Sequence, residues 1–95
     1  MVLKMDGRIL KYKIKSISES KYGYLYWKKD ERKKAYKFFP TGKFRVKMEG
    51  KIVKERKMNK GRARLNLYPL REKFNKGDNL ILEKKEKDLI IIQKD

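Results

Sequence analysis

KFRVKMEGKIVKERKM, residues 43–58, alternates apolar and cationic side chains and breaks once, at Glu49-Gly50. Phe44, Val46 and Met48 fall on one side of an extended chain, and Lys43, Arg45 and Lys47 on the other. A period of two is the signature of a half-buried β-strand. Glu49-Gly50 then makes a tight turn into a second strand, because glycine supplies the positive φ that two-residue hairpin loops need.

The same reading extends in both directions. Upstream, Asp6-Gly7 fits another hairpin turn, and RILKYKIKSI (8–17) sets Leu10, Tyr12 and Ile14 against Lys11, Lys13 and Lys15. YGYLYW (22–27) is rich in aromatic strand formers. Residues 28–37, KKDERKKAYK, lack strand alternation and have helical composition, so they form one or two helical turns or a charged loop. Phe38-Phe39-Pro40 closes that segment and Pro40-Thr41-Gly42 is a turn. Downstream, Asn59-Lys60-Gly61 turns into RARLNLY (62–68), where Ala63, Leu65 and Leu67 alternate with Arg62, Arg64 and Asn66. Pro69 ends that strand and starts a helical turn, LREKF, where its missing N–H costs nothing. After the turn NKGD (75–78) come two apolar strands, NLILE (79–83) and DLIIIQ (88–93). The latter's four consecutive apolar residues predict burial on both faces. Seven or so short strands at roughly 8–12-residue spacing, with one or two short helical turns, predict a mostly β fold, a small barrel or sandwich with antiparallel or mixed pairing, the barrel being the expectation adopted, as one domain over residues 1–95.

Composition narrows the function. Of 95 residues, 43% are charged and 39% hydrophobic, so the core is thin. No stretch approaches the roughly 20 apolar residues of a membrane helix. Lys4 and Asp6 interrupt the first apolar run, which argues against a signal peptide and for the cytoplasm. Without cysteine there is no disulfide or thiolate site, and without histidine no common metal ligand or general base. No cofactor or metal is expected. A nucleophile would have to be Ser16, Ser18 or Ser20 beside a lysine, but three serines so close read as a strand end and turn. The expected protein is not an enzyme. Twenty-two lysines to seven arginines, plentiful Glu and Ile and a single Gln give a thermophile-like profile.

Charge points to the partner. The net charge is +17, and residues 1–64 hold 22 basic and 6 acidic side chains, against 7 and 6 in residues 65–95. A surplus so unevenly spread concentrates a polyanion on one region. Three clusters carry it: Lys28, Lys29, Arg32, Lys33, Lys34 and Lys37; the strand face Lys43, Arg45 and Lys47; and Lys54, Arg56, Lys57, Lys60, Arg62 and Arg64. Arg62 and Arg64, two apart on one strand, should point the same way. If YGYLYW is one strand, Tyr22, Tyr24 and Tyr26 share a face opposite Leu25 and Trp27. Exposed, the three tyrosines would be a platform for stacking bases; buried, they would fill a core short of large apolar groups, which is the favoured reading.

Residues 50–95 resemble the AbrB-type DNA-binding domain in the order Gly61-Arg62, short strand, Leu70-Arg71-Glu72 helical turn, Gly77-Asp78, and closing strands ending in Ile90-Ile91-Ile92. The preceding residues, from YLYW through FFPTGKFRV, resemble the front half of related DNA-binding pseudobarrels. The resemblance implies a seven-stranded pseudobarrel in one chain, with Arg62 contacting DNA. That family builds its binding unit from two chains, so a homodimer stays open. The combined expectation is a small regulator or chromatin-like, nucleoid-associated protein that binds double-stranded DNA. The alternatives are an RNA-binding or ribosomal protein on an OB- or SH3-like barrel and a protein-interaction module.

Overall fold

Residues 8–59 and 61–95 are described by the computed structural model, so the turn expected at Asp6-Gly7 and the candidate Lys60 lie outside the described residues. Among the described residues there are seven strands: β1 (Ile9–Lys13), β2 (Tyr24–Tyr26), β3 (Phe44–Met48), β4 (Lys51–Arg56), β5 (Arg64–Asn66), β6 (Asn79–Glu86) and β7 (Leu89–Lys94). Two short helices, α1 (Ile17–Tyr22) and α2 (Arg32–Phe38), and two 3-10 segments, Lys29–Glu31 and Tyr68–Lys73, complete the fold. Among the described residues no helix is long and apolar enough to cross a membrane.

Five strands form one mixed sheet in the order β1-β6-β7-β3-β4, with β3 and β7 parallel and the other pairs antiparallel. β2 and β5 form a separate antiparallel ribbon. The fold is therefore mostly β, and no ladder among the described residues joins β1 to β4 to close the large sheet. The hairpin at Glu49-Gly50 is as expected, with φ of 49° and 84° at its two residues.

Alternation decides which face is dry. Tyr12, Phe44, Val46, Met48, Val53, Leu80, Leu82, Ile90 and Ile92 line the buried face of the sheet. Leu25 and Leu65, register partners in the ribbon, cover it together with Leu67, Leu70 and Phe74. An aromatic seam ties this second layer to the sheet: Tyr12 to Trp27 at 5.2 Å, Trp27 to Phe39 at 5.3 Å and Phe39 to Phe44 at 5.6 Å. Such pairs each add about 0.5–1.5 kcal/mol beyond their burial, which suits a thin core. The expected double-sided burial of the last strand is not met. Ile90 and Ile92 are buried, but Leu89 and Ile91 are half-buried beside their β3 partners Arg45 and Lys47. Only one face of the sheet carries the second layer, so on the other the long cationic stems give partial cover.

The serine segment is a helix rather than a strand end and turn. Ser16 caps α1 by accepting from the Glu19 backbone N–H, and the Glu19 carboxylate accepts from the Ser16 backbone N–H at 2.9 Å, a reciprocal capping box. Glu19 is fully buried and also accepts from the Tyr12 hydroxyl and, at 2.7 Å, from the Lys15 backbone N–H. Gly23 ends α1 in the left-handed region, φ 66°. A Cβ there would lie 2.8 Å from the Leu67 carbonyl oxygen and 2.9 Å from both Tyr68 Cα and Arg71 Cβ, so only glycine lets the chain pass this close to the Tyr68–Lys73 segment.

Candidate nucleic-acid interface

The three basic clusters do not coalesce into one face. In the first, Lys28, Lys29, Lys33, Lys34 and Lys37 are exposed and Arg32 is half-buried, around the first 3-10 segment and α2. α2 runs beside β1, and Lys34 and Lys37 reach across a cleft of about 730 Å³ toward Lys11, Lys13 and Lys15. Leu10, Trp27 and Phe38 contribute to its lining, and Glu31 is the acidic residue there among the described residues. Lys11, Lys13, Lys34 and Lys37 have no ion pair among the described residues. β1 is an edge strand, and its even-numbered residues bond toward β6: Arg8 O accepts from Lys84 N at 2.9 Å and Ile14 N donates to Asp78 O at 2.9 Å. The backbone groups of Ile9, Lys11 and Lys13 therefore face away from β6, along an edge that no strand among the described residues covers.

Arg45, expected in the cationic strand face, is tied up instead. Its guanidinium donates to Glu86 at 3.2 Å and Asp88 at 3.1 Å, and the Asp88 contact raises its pKa further. Lys43 pairs with Glu55 at 3.6 Å. Lys47 is half-buried between its register partners Ile91 and Ile52. In the third cluster Lys54 and Lys57 are exposed, while Arg56 donates to the Asn66 and Lys54 carbonyls at 3.3 Å each.

Arg62 and Arg64 do not share a strand face. β5 begins at Arg64, and Ala63 takes φ 49°, which breaks the alternation between them. The Arg62 backbone N–H donates to Asn59 Oδ1 and its side chain is exposed, whereas Arg64 is half-buried with its guanidinium 4.2 Å from the Tyr24 ring centre.

The tyrosines also part company. Tyr22 belongs to α1, so it is not on a strand with Tyr24 and Tyr26; the left-handed Gly23 separates them. Tyr24 and Tyr26 do share the ribbon's outer face, half-buried, with rings 6.1 Å apart, while Leu25 and Trp27 are in the core. Neither a full three-tyrosine platform nor full burial describes them. Lys15 lies 4.6 Å over the Tyr26 ring and 4.1 Å over Tyr12, and its burial lowers its pKa. Tyr22, Tyr24 and the overlooked Tyr68 instead line a pocket of about 440 Å³ with Ser18, Arg64 and Asn66.

The other serines serve structure: Ser16 caps α1 and the Ser20 hydroxyl donates to the Phe74 carbonyl. Among the described residues no group of three or more Asp and Glu side chains converges to hold a metal. Lys11, Lys13 and Lys15 appear in the sequence as the wet face of a strand, and only the edge position of β1 beside α2 turns them into a cleft. No family model, no curated protein and no solved structure matches this chain.

Proposed function

We propose that the protein is a non-enzymatic nucleic-acid-binding domain that holds the phosphate backbone chiefly through lysine. The observation that carries this reading is the cleft between β1 and α2, where Lys11, Lys13, Lys15, Lys34 and Lys37 outnumber the acids beside them: Glu31 in the lining, Glu19 at 3.8 Å from Lys15, and Asp95, which lines an adjoining hollow with Lys11 and Lys13. Ammonium groups that line one cleft repel one another, and phosphates would relieve that repulsion while releasing counterions. Lysine acts here as a point charge that follows a backbone rather than reading bases. The exposed Lys28, Lys29, Lys33, Lys54, Lys57 and Arg62 extend the attracting field. The AbrB-type resemblance of residues 50–95 supports the same class of ligand, makes duplex DNA the first polymer to test and carries the pseudobarrel and regulator readings with it. RNA is the second reading, supported by the tyrosines exposed at the surface.

The test is titration of a labelled DNA duplex, a single strand and a structured RNA at several salt concentrations. With roughly five phosphate contacts, log K should fall against log salt with a slope of about −4 to −5 on duplex. Replacing Lys11, Lys13, Lys34 and Lys37 by Gln should flatten the slope by about 3 to 4, one unit per lost contact. Arg45→Ala, which removes a side chain already held by Glu86 and Asp88, should leave the slope unchanged. A wild-type slope shallower than about −2 sinks the electrostatic reading.

A further inference from the structure

We propose that the pocket framed by Tyr22, Tyr24, Tyr68 and Arg64 receives an unpaired base, so that the preferred ligand is a single strand. The inference rests on the nucleic-acid reading and adds to it a site for the base.

Tyr22 and Tyr68 leave 52% and 49% of their surface in water, although Trp27 and the four phenylalanines are all buried. A lone surface tyrosine needs no explanation, but here three converge on one concavity with no carboxylate in its lining. Two of the three tyrosines are paired with a flat cation: Arg64 lies 4.2 Å from the Tyr24 ring centre and Arg71 lies 4.0 Å from that of Tyr68. Aromatic rings and guanidinium planes are the surfaces on which splayed bases stack, and the cations favour an aromatic ligand that carries negative charge. The pocket also offers hydrogen bonds. The Asn66 side-chain oxygen accepts from the Tyr68 backbone N–H at 2.9 Å, which assigns its NH2 group as the donor left for a ligand; the Ser18 hydroxyl stands beside it.

The pocket is built before any ligand arrives. Leu67 N donates to Gly23 O at 2.6 Å, and Ser20 bonds the Phe74 carbonyl, so both ends of the Tyr68–Lys73 segment are pinned to α1 and its cap. It is also continuous with the lysine cleft: from Lys15 the row runs to Tyr26 at 4.6 Å, across 6.1 Å to Tyr24, and on to Arg64. A strand whose phosphates lie on the cleft lysines would thus bring its bases over this row. In a duplex the bases are already stacked on one another, and half-exposed rings set in a concavity do not reach them.

The full-length chain and its Tyr22→Ala/Tyr68→Ala and Tyr22→Phe/Tyr68→Phe variants should be titrated with short single strands of oligo(dT) and oligo(U) and with a DNA duplex. The Ala variant should lose roughly 10- to 100-fold in affinity for single strands, with duplex affinity and salt slope little changed, and the Phe variant should stay near wild type. A larger loss on oligo(U) than on oligo(dT) assigns the site to RNA, and the reverse to DNA. Equal losses on single strand and duplex, or no loss on either while the wild-type slope stays steep, would overturn the base pocket and leave the phosphate reading standing. Failure of the wild type to bind any of the three would remove both. Photocrosslinking of a halouracil-substituted strand to the wild-type chain gives a measure independent of the variants' folding. Attachment at Tyr22, Tyr24 or Tyr68 supports the pocket, and attachment only elsewhere refutes it.

Discussion

Glu19 is the residue whose loss the fold should feel most for its size. It is fully buried, and its carboxylate accepts from the Tyr12 hydroxyl, the backbone N–H groups of Lys15 and Ser16, and the Ser16 hydroxyl. Glu19→Ala strips all of these donors of their acceptor at once and removes the carboxylate beside the Lys15 ammonium, 3.8 Å away. The Ser16 groups are only half-buried and can turn to water, but the Tyr12 hydroxyl is enclosed. Counting two orphaned donors at about 1–3 kcal/mol each, the expected loss is about 4 kcal/mol. Domains of this size hold about 5–15 kcal/mol in total, so the change removes about a quarter or more. With an m-value of about 2 kcal/mol/M the urea midpoint should drop by about 2 M, with m itself unchanged. Glu19→Gln keeps the volume and one acceptor oxygen, so about half that drop is expected. Because α1 carries Tyr22, both variants should also weaken single-strand binding in the same order. If Glu19→Ala unfolds within about 0.5 kcal/mol of the wild type, the capping network does not hold α1 and the argument fails.

Two further outcomes follow from the same region. Burial first, and then its hydrogen bond to Glu19, push the Tyr12 phenol above its ordinary value of 10.0. The stability this supplies is complete below that pH and is lost as the solution becomes more alkaline, because the unfolded chain ionises first. Urea midpoints measured from about pH 9 to about pH 11 should therefore fall more steeply for the wild type than for Tyr12→Phe; the lowered Lys15 pKa acts in the opposite sense in both proteins and cancels in the comparison. Gly23→Ala combines a left-handed φ of 66° with three contacts under 3.0 Å. About 3 kcal/mol should be lost, and a loss below about 1 kcal/mol in urea unfolding would show that the Tyr68–Lys73 segment yields freely.

Much of the sheet is legible because a half-buried strand writes its own period. Leu10, Tyr12 and Ile14, Phe44, Val46 and Met48, and Ala63, Leu65 and Leu67 all turn their apolar side inward as alternation requires. α1 is misread because its aromatic neighbours have strand propensity, although Ser16-x-x-Glu19 before Gly23 already spells a capped helix. That one error misplaces Tyr22. The tyrosine pocket depends on Gly23 passing against Tyr68, a contact 45 residues away along the chain that no local pattern announces. Arg45 looks free in sequence because its partners, Glu86 and Asp88, belong to the near-neutral last third and reach it only through the parallel β3–β7 pairing. The lysine cleft is half legible: its charges are visible, but their convergence needs β1 at the sheet edge with α2 alongside.

The position of β7 bears on how the chain is made. It is the latest of the seven strands to be synthesised, yet it lies in the middle of the large sheet, between β6 and β3. Before it is in place, β1-β6 and β3-β4 have no shared neighbour, so a chain that has reached Asp88 holds two unattached β pieces. The joining step pairs segments far apart in sequence, the slow class of event that takes milliseconds to seconds. Throughout that interval the lysine and arginine clusters belong to a chain whose large sheet is not yet joined. A chain truncated ahead of Leu89 should therefore keep the two pieces apart, with unpaired strand edges that favour aggregation.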